Sequence, residues 1–149
     1  MLLIDHSLYV NVPISLTYSH WTHYTEFPRF MQGVKIVKRP SWTRLLWQAE
    51  YAGELETWES RIITRIPNEC VAWESVNHRT NHMCFEFFSI APDMTLIKLH
   101  AEYQTQNILE DIGVSLGAVS HRLYGDLVRA QNMIEGRSFL PRTILTALN

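Results

Sequence analysis

W-Q-A-E-Y-A-G-E-L-E-T-W-E-S-R-I-I-T-R-I-P-N-E-C-V-A-W-E-S, from Trp47 to Ser75, is the stretch on which the fold turns. Strand patterns run through it, broken by the short Pro67-Asn68 turn, and three tryptophans fall on neighbouring strands. Tryptophan is bulky and is seldom fully buried without a partner for its indole N–H. Three on one small sheet exceed what the sheet needs to close its own core. Either a large element covers them or they line a cavity.

Working outward, runs with strand character lie at Leu8–Val12, Val34–Arg39, Arg44–Tyr51, Leu55–Ile66, Cys70–Ser75, Met83–Ile90 and Leu96–Tyr103. Ala52-Gly53-Glu54 is a hairpin signal, and Asn77–Asn81 and Ala91-Pro92-Asp93 separate the later runs. Seven strands joined by short turns predict an antiparallel meander. Ile14–Thr25 suits one or two short helices, and Phe27–Met31 extends them as an apolar elbow ended by Gly33. The period then changes: Ile112, Leu116, Val119, Leu123, Leu127, Ala130 and Ile134 form one face of a long amphipathic helix, with Gly136 as its stop. A twisted sheet of this size curls and needs a cover for its apolar face, and the long helix is the element able to supply it. The predicted fold is α+β: a curved seven-stranded antiparallel sheet around a long C-terminal helix, with a pocket at its open end. Residues 1–137 form the domain and 138–149 a tail, a candidate homodimer contact.

Composition bounds the function. A chain of 149 residues with 46% hydrophobic and 19% charged residues suits one globular domain. A formal charge of −2 offers no general attraction to nucleic acid or anionic lipid. No apolar run is long enough to span a bilayer, and the Met1–His6 start lacks the pattern of a signal peptide. A cytoplasmic protein with Cys70 and Cys84 as free thiols is expected.

Several segments resemble one superfamily: E-F-P-R-F-M-x-G-V at Glu26–Val34, L-x-W-x-A at Leu45–Ala49 and W-E-S-R-I at Trp58–Ile62, with I-P-N-E-x-V-A-W-E-S at Ile66–Ser75 and G-D-L-x-R at Gly125–Arg129. It is the helix-grip superfamily of START domains and birch-pollen-allergen-like proteins. Within it the chain is most similar to the bacterial polyketide cyclase/dehydrase group, to which coenzyme Q-binding proteins are related. The similarity runs from about Leu8 to Gly136. It departs at His78-Arg79-Thr80-Asn81-His82, where relatives carry a glycine-bearing turn, and in the tail. The resemblance implies an internal cavity for a hydrophobic, polyketide-like ligand, with cyclisation or dehydration as its chemistry. A non-catalytic carrier of a quinone or lipid is the alternative, and a partner-binding module a third.

Candidate site residues follow from strand parity. Trp58, Ser60, Ile62, Thr64 and Ile66 share one face of the fourth strand; Thr57, Glu59, Arg61, Ile63 and Arg65 share the other. Hydrophobicity turns the tryptophan face inward. The resemblance instead implies that Arg65, two residues before the turn proline, points into the cavity, and a bulge between Glu54 and Arg61 would reconcile the two. Inward Glu59, Arg61 and Arg65 would be a costly buried cluster; outward, they would be ordinary cross-strand ion pairs. Tyr103 is placed inward and His100 outward. The catalytic candidates are therefore Arg65, Arg61, Glu59 and Tyr103. The ligand-contact candidates are Trp21, Phe27, Phe30, Met31, Trp47, Tyr51, Trp58, Trp73, Phe85 and Phe87. Catalysis of this kind needs a pocket that holds a reactive chain in one geometry and a donor to polarise a carbonyl. No cofactor is implied. His20-x-x-His23 and His78-x-x-x-His82 could be spaced for a metal but lack an evident third ligand, and surface histidines are expected.

Overall fold

The computed structural model describes residues 2–76, 82–103 and 116–139. Seven antiparallel strands lie in the order β1-β7-β6-β5-β4-β3-β2. They are β1 (Leu2–Val10), β2 (Val34–Ser41), β3 (Arg44–Tyr51), β4 (Glu54–Ile66), β5 (Cys70–Ser75), β6 (His82–Ala91) and β7 (Met94–Tyr103). Helix α1 (Ile14–Thr22) and a 3-10 turn (Tyr24–Arg29) follow β1, and the long helix α2 covers Leu116–Phe139. This is the helix-grip architecture expected.

Apart from β1, the strands follow the predicted runs within a few residues. β1 begins earlier, at Leu2, because Leu2, Ile4, Leu8 and Val10 alternate in step with β7, from Leu2 opposite Tyr103 to Val10 opposite Thr95. The hairpin between β3 and β4 turns through Ala52 (φ 53°) and Gly53 (φ 81°), the paired positive dihedrals of a tight turn matched to strand twist. Gly33 is required for a different reason: at φ 84°, a Cβ there would meet Tyr51 Cε1 at 2.5 Å and the Glu50 carbonyl oxygen at 2.9 Å.

Val119, Leu123, Leu127, Ala130 and Ile134 of α2 are buried against the sheet, as the periodicity predicts. The expected stop at Gly136 is corrected: the helix continues to Phe139. Gly136 has no positive φ, so it is not the left-handed cap a helix end would use, and an interior glycine costs only about 1 kcal/mol. Ile112, Gly113 and the tail beyond 139 lie outside the described residues. α2 is tied to β1 and to the segment that leads into β2. On one side Gln131 Nε2 donates to the Tyr9 carbonyl at 2.7 Å; on the other Arg129 Nε donates to the Phe30 carbonyl at 2.9 Å.

The bulge that sequence parity calls for exists, but farther along β4. The β4–β5 register shifts between Ile62, opposite Trp73, and Thr64, opposite Ala72, so Arg65 falls opposite Val71. Trp73 and Val71 both belong to the core. Parity thus flips after Ile62: Trp58 and Ser60 face inward before the bulge and Arg65 regains the inner face after it. One extra residue thus keeps Trp58 on the inner face and returns Arg65 to the side of the sheet that Val71 occupies, though not to the cavity lining.

Candidate functional site

Between the concave face and α2 lies a cavity of about 60 Å³ open to the centre of a water molecule. That is room for about four to six waters, at roughly 10–15 Å³ each. Its walls are largely aromatic. Trp21 stacks on Phe85 (ring centroids 4.2 Å apart), and Trp47 lies parallel to Trp58 (5.6 Å, 4° between planes) with Trp73 alongside at 5.9 Å. These rings arrive from α1, β3, β4, β5 and β6, which is why the tryptophans of residues 47–75 meet in space.

At one end the lining turns polar. Tyr51 closes β3, Tyr103 closes β7, and Arg122 and Asp126 project from α2 one turn apart. The Arg122 guanidinium sits 4.3 Å from the Tyr51 ring centroid, and its charge also acts on the Tyr103 hydroxyl. Tyr103 in turn donates to Met83 Sδ at 3.8 Å, a weak acceptor. Asp126, 7% exposed, accepts from the Gln32 backbone N–H at 2.8 Å and from Arg129. Burial raises the Tyr51 hydroxyl to about 12, with the Arg122 charge opposing. Burial also raises the Tyr103 hydroxyl. The Asp126 carboxyl is raised as well, burial outweighing its hydrogen bonds from Gln32 and Arg129, so it holds a proton more readily than a surface aspartate. Three further donors have no acceptor among the described residues: the indole N–H groups of Trp21 and Trp47, and Arg122 Nε.

The structure sorts the sequence candidates into four groups. Trp21, Met31, Trp47, Tyr51, Trp58, Trp73, Phe85 and Tyr103 line the cavity. Phe27 and Phe30 pack behind Trp21, and Phe87 packs edge-on against Tyr18, away from the lining. Arg61 and Glu59 face the outer side: Arg61 pairs with Glu74 at 2.5 Å and Glu59 lies 3.9 Å from Arg44. Both were inward candidates, and both precede the bulge that restores the inner face. Arg65 is on the core side but does not line the cavity. Arg122 and Asp126 were missed. Their signal was present, since both fall within the helical stripe of Val119, Leu123, Leu127 and Ala130, where charged residues among apolar ones mark a buried polar site.

Elsewhere, His20 is buried between the Trp21 and Phe30 rings rather than at the surface, while His23 is exposed. No cluster of three or more metal-ligating side chains occurs among the described residues, and His78 lies outside them. Cys70 and Cys84 are free thiols. No described helix is long and apolar enough to cross a membrane.

Residues 10–132 match the family described as polyketide cyclase/dehydrase and lipid transport. The chain belongs to this family. A 17.2 kDa protein of Streptomyces lincolnensis, itself uncharacterised, is 30% identical over 135 residues, 90% of each chain. Among solved structures, the Zhui aromatase/cyclase of a Streptomyces species superposes with a TM-score of 0.75 at 16% identity, covering 92% of this chain and 95% of that one. A START superfamily protein of Mycobacterium smegmatis gives 0.71 at 14% identity, covering 91% and 95%. At such identities these likenesses concern the fold.

Proposed function

We propose that the cavity binds a carbonyl-rich, polyketide-like chain and promotes its cyclisation and dehydration. One observation carries this reading: the uncommitted polar groups lining the cavity are donors. Trp21 N–H, Trp47 N–H and Arg122 Nε have no acceptor among the described residues, and Tyr103 O–H has only a thioether. A buried donor without a partner costs about 1–3 kcal/mol, and a ligand carrying several ketone oxygens would recover it. An acyl chain without oxygens would not. The family's membership supports the same class of ligand.

The chemistry such a pocket can do is modest and balanced. A ketone oxygen seated against Tyr103 and Arg122 is polarised by their N–H and O–H groups. A methylene flanked by two carbonyls is acidic, and Asp126, with its raised proton affinity, is placed to take that proton. The resulting carbon bonds to the polarised carbonyl carbon, whose oxygen is protonated and leaves as water when a second methylene proton is lost. Carbon, hydrogen and oxygen balance with water as the sole by-product, and no oxidant enters. The aromatic walls hold the chain in one fold. Room for a chain of several ketide units requires the walls to part, and of the wall tryptophans Trp58 alone is half-buried.

Incubation with a linear poly-β-ketone thioester, followed by mass spectrometry, tests this. We expect loss of one water per ring closed, slowed on the order of a hundredfold in Tyr103→Phe and in Arg122→Met. Equal turnover in the Tyr103→Phe/Arg122→Met double variant, or tighter binding of saturated acyl lipid than of the polyketone, would falsify the reading and favour a carrier.

A further inference from the structure

A second group of donors lies at the tip of the β2–β3 hairpin, outside the cavity. Arg39 near the end of β2 places its guanidinium 4.8 Å from the Trp42 ring centroid and 5.4 Å from that of Tyr24. Arg65, turned to the inner face by the β4 bulge, lies 6.0 Å from the same Trp42 ring. Its charge, with that of Arg39, pulls the Tyr24 hydroxyl down against a larger upward push from burial. Four side chains from three separate segments therefore converge.

The balance of donors and acceptors is unusual. Two guanidiniums share one indole ring, yet no described carboxylate pairs with either of them. Arg39 Nη2 donates to the Trp42 carbonyl at 3.2 Å, which leaves most of its N–H groups unused. Tyr24 is 2% exposed, and its hydroxyl has no hydrogen-bond partner of ordinary geometry among the described residues. Even where Arg65 reaches its oxygen, the phenolic proton lacks an acceptor. Trp42, by contrast, is 76% exposed, an uncommon position for so large an apolar ring. Like charges held together around buried and exposed donors are costly without an anion to accept from them.

We propose that Arg39, Arg65, Tyr24 and Trp42 form a binding site for an oxyanion, a carboxylate or a phosphate, whose carrier lies against the Trp42 ring. The two guanidinium forks supply the charge and the in-plane donors that such an oxyanion takes. The Tyr24 hydroxyl donates from the floor. The site is separate from the cavity: none of the four residues lines it, and Tyr24 packs edge-on against Trp73 at 6.3 Å from behind the aromatic wall. It therefore goes beyond the cyclisation reading and stands whether or not that reading does.

The test follows the Trp42 indole N–H resonance, assigned with Trp42→Phe, during titration with inorganic phosphate and separately with benzoate, at ionic strength held constant with chloride. A saturable shift is expected from at least one of them, and the tighter of the two identifies the natural group as phosphate or carboxylate. Arg39→Gln and Arg65→Gln should each weaken it about tenfold, while Arg44→Gln, on the outer face, should leave it unchanged. Should a Gln variant fail to fold, Arg65→Lys keeps the charge and loses the fork, and binding intermediate between wild type and none is expected. A response no larger than that to chloride, or one that survives in the Arg39→Gln/Arg65→Gln double variant, overturns the site.

Discussion

His100 and Tyr103 stand three residues apart on β7 and face opposite ways, and each anchors a polar cluster. On the inner side, Tyr103 meets Arg122, Tyr51 and Asp126 under the long helix. On the outer side, His100 bridges two carboxylates, Asp5 on β1 and Glu86 on β6, the latter at 2.8 Å. The outer cluster is matched: an imidazole with both ring nitrogens set against carboxylates, in water. The inner one has donors in excess and is almost sealed. What separates them is solvent, which screens the first and leaves the second to be satisfied by whatever the cavity admits. The same strand thus carries a structural tie on one face and, on the proposed reading, a catalytic group on the other.

The contrast should be sharpest at Asp126. Its carboxylate accepts from the Gln32 N–H and faces Arg122, so Asp126→Ala leaves buried donors without a partner. We expect a loss of about 3 kcal/mol in urea unfolding. Asp126→Asn keeps an acceptor oxygen for the Gln32 N–H, so about 1 kcal/mol is expected. Glu86→Ala on the outer face should cost less than either. An Asp126→Ala cost no greater than that of Glu86→Ala would remove the distinction between the faces.

The outer cluster makes a smaller and pH-dependent prediction. Hydrogen bonding to Asp5, and less so to Glu86, raises the His100 imidazole above its ordinary 6.5 against an opposing effect of burial. A raised folded-state value means that the imidazolium stabilises the native protein fully below about pH 6.5 and that this is lost as pH rises through the folded value. Lys98 and Glu102 flank His100 on the outer side of β7, and Cys84 lies opposite it on β6. Because His100, Asp5 and Glu86 are all 40% exposed or more, the effect should stay under about 1 kcal/mol. Urea midpoints measured across neutral pH should fall in the wild type and stay level in His100→Gln. Equal slopes in the two would show that the bridge does nothing.

Much of this arrangement was legible in the sequence, and the failures have two causes. Period-two alternation located seven strands and the helical stripe located α2, because burial on one face of a regular element leaves that signature. Parity turns Trp47 and Trp58 to one face, and the structure places both, with Trp73, in the cavity lining. Arg61 and Glu59 went astray at β4, where a single extra residue after Ile62 reverses the faces and leaves no mark in composition. Arg122 and Asp126 escaped because charged residues in a helical stripe look like its margin. The stripe was the available signal, and tertiary placement turns both residues to the cavity.

Arg61 offers the smallest effect and the most direct check on which face of β4 is which. Its side chain is 55% exposed and bonds Glu74 at 2.5 Å across to β5, so it reads as a solvent-facing cross-strand pair. Such pairs contribute about 0.2–1 kcal/mol, offset by the entropy of holding two long side chains. Arg61→Ala should therefore shift unfolding by no more than about 0.5 kcal/mol, and the shift should shrink further in high salt. It should leave ligand binding in the cavity untouched, because Arg61 precedes the bulge and points away from the lining. A salt-independent loss above about 2 kcal/mol, or weakened binding, would place Arg61 inside and move the parity change to the N-terminal half of β4. Ser60, now 1% exposed beside Trp58, would then have to face water, a change that amide exchange along β4 would register.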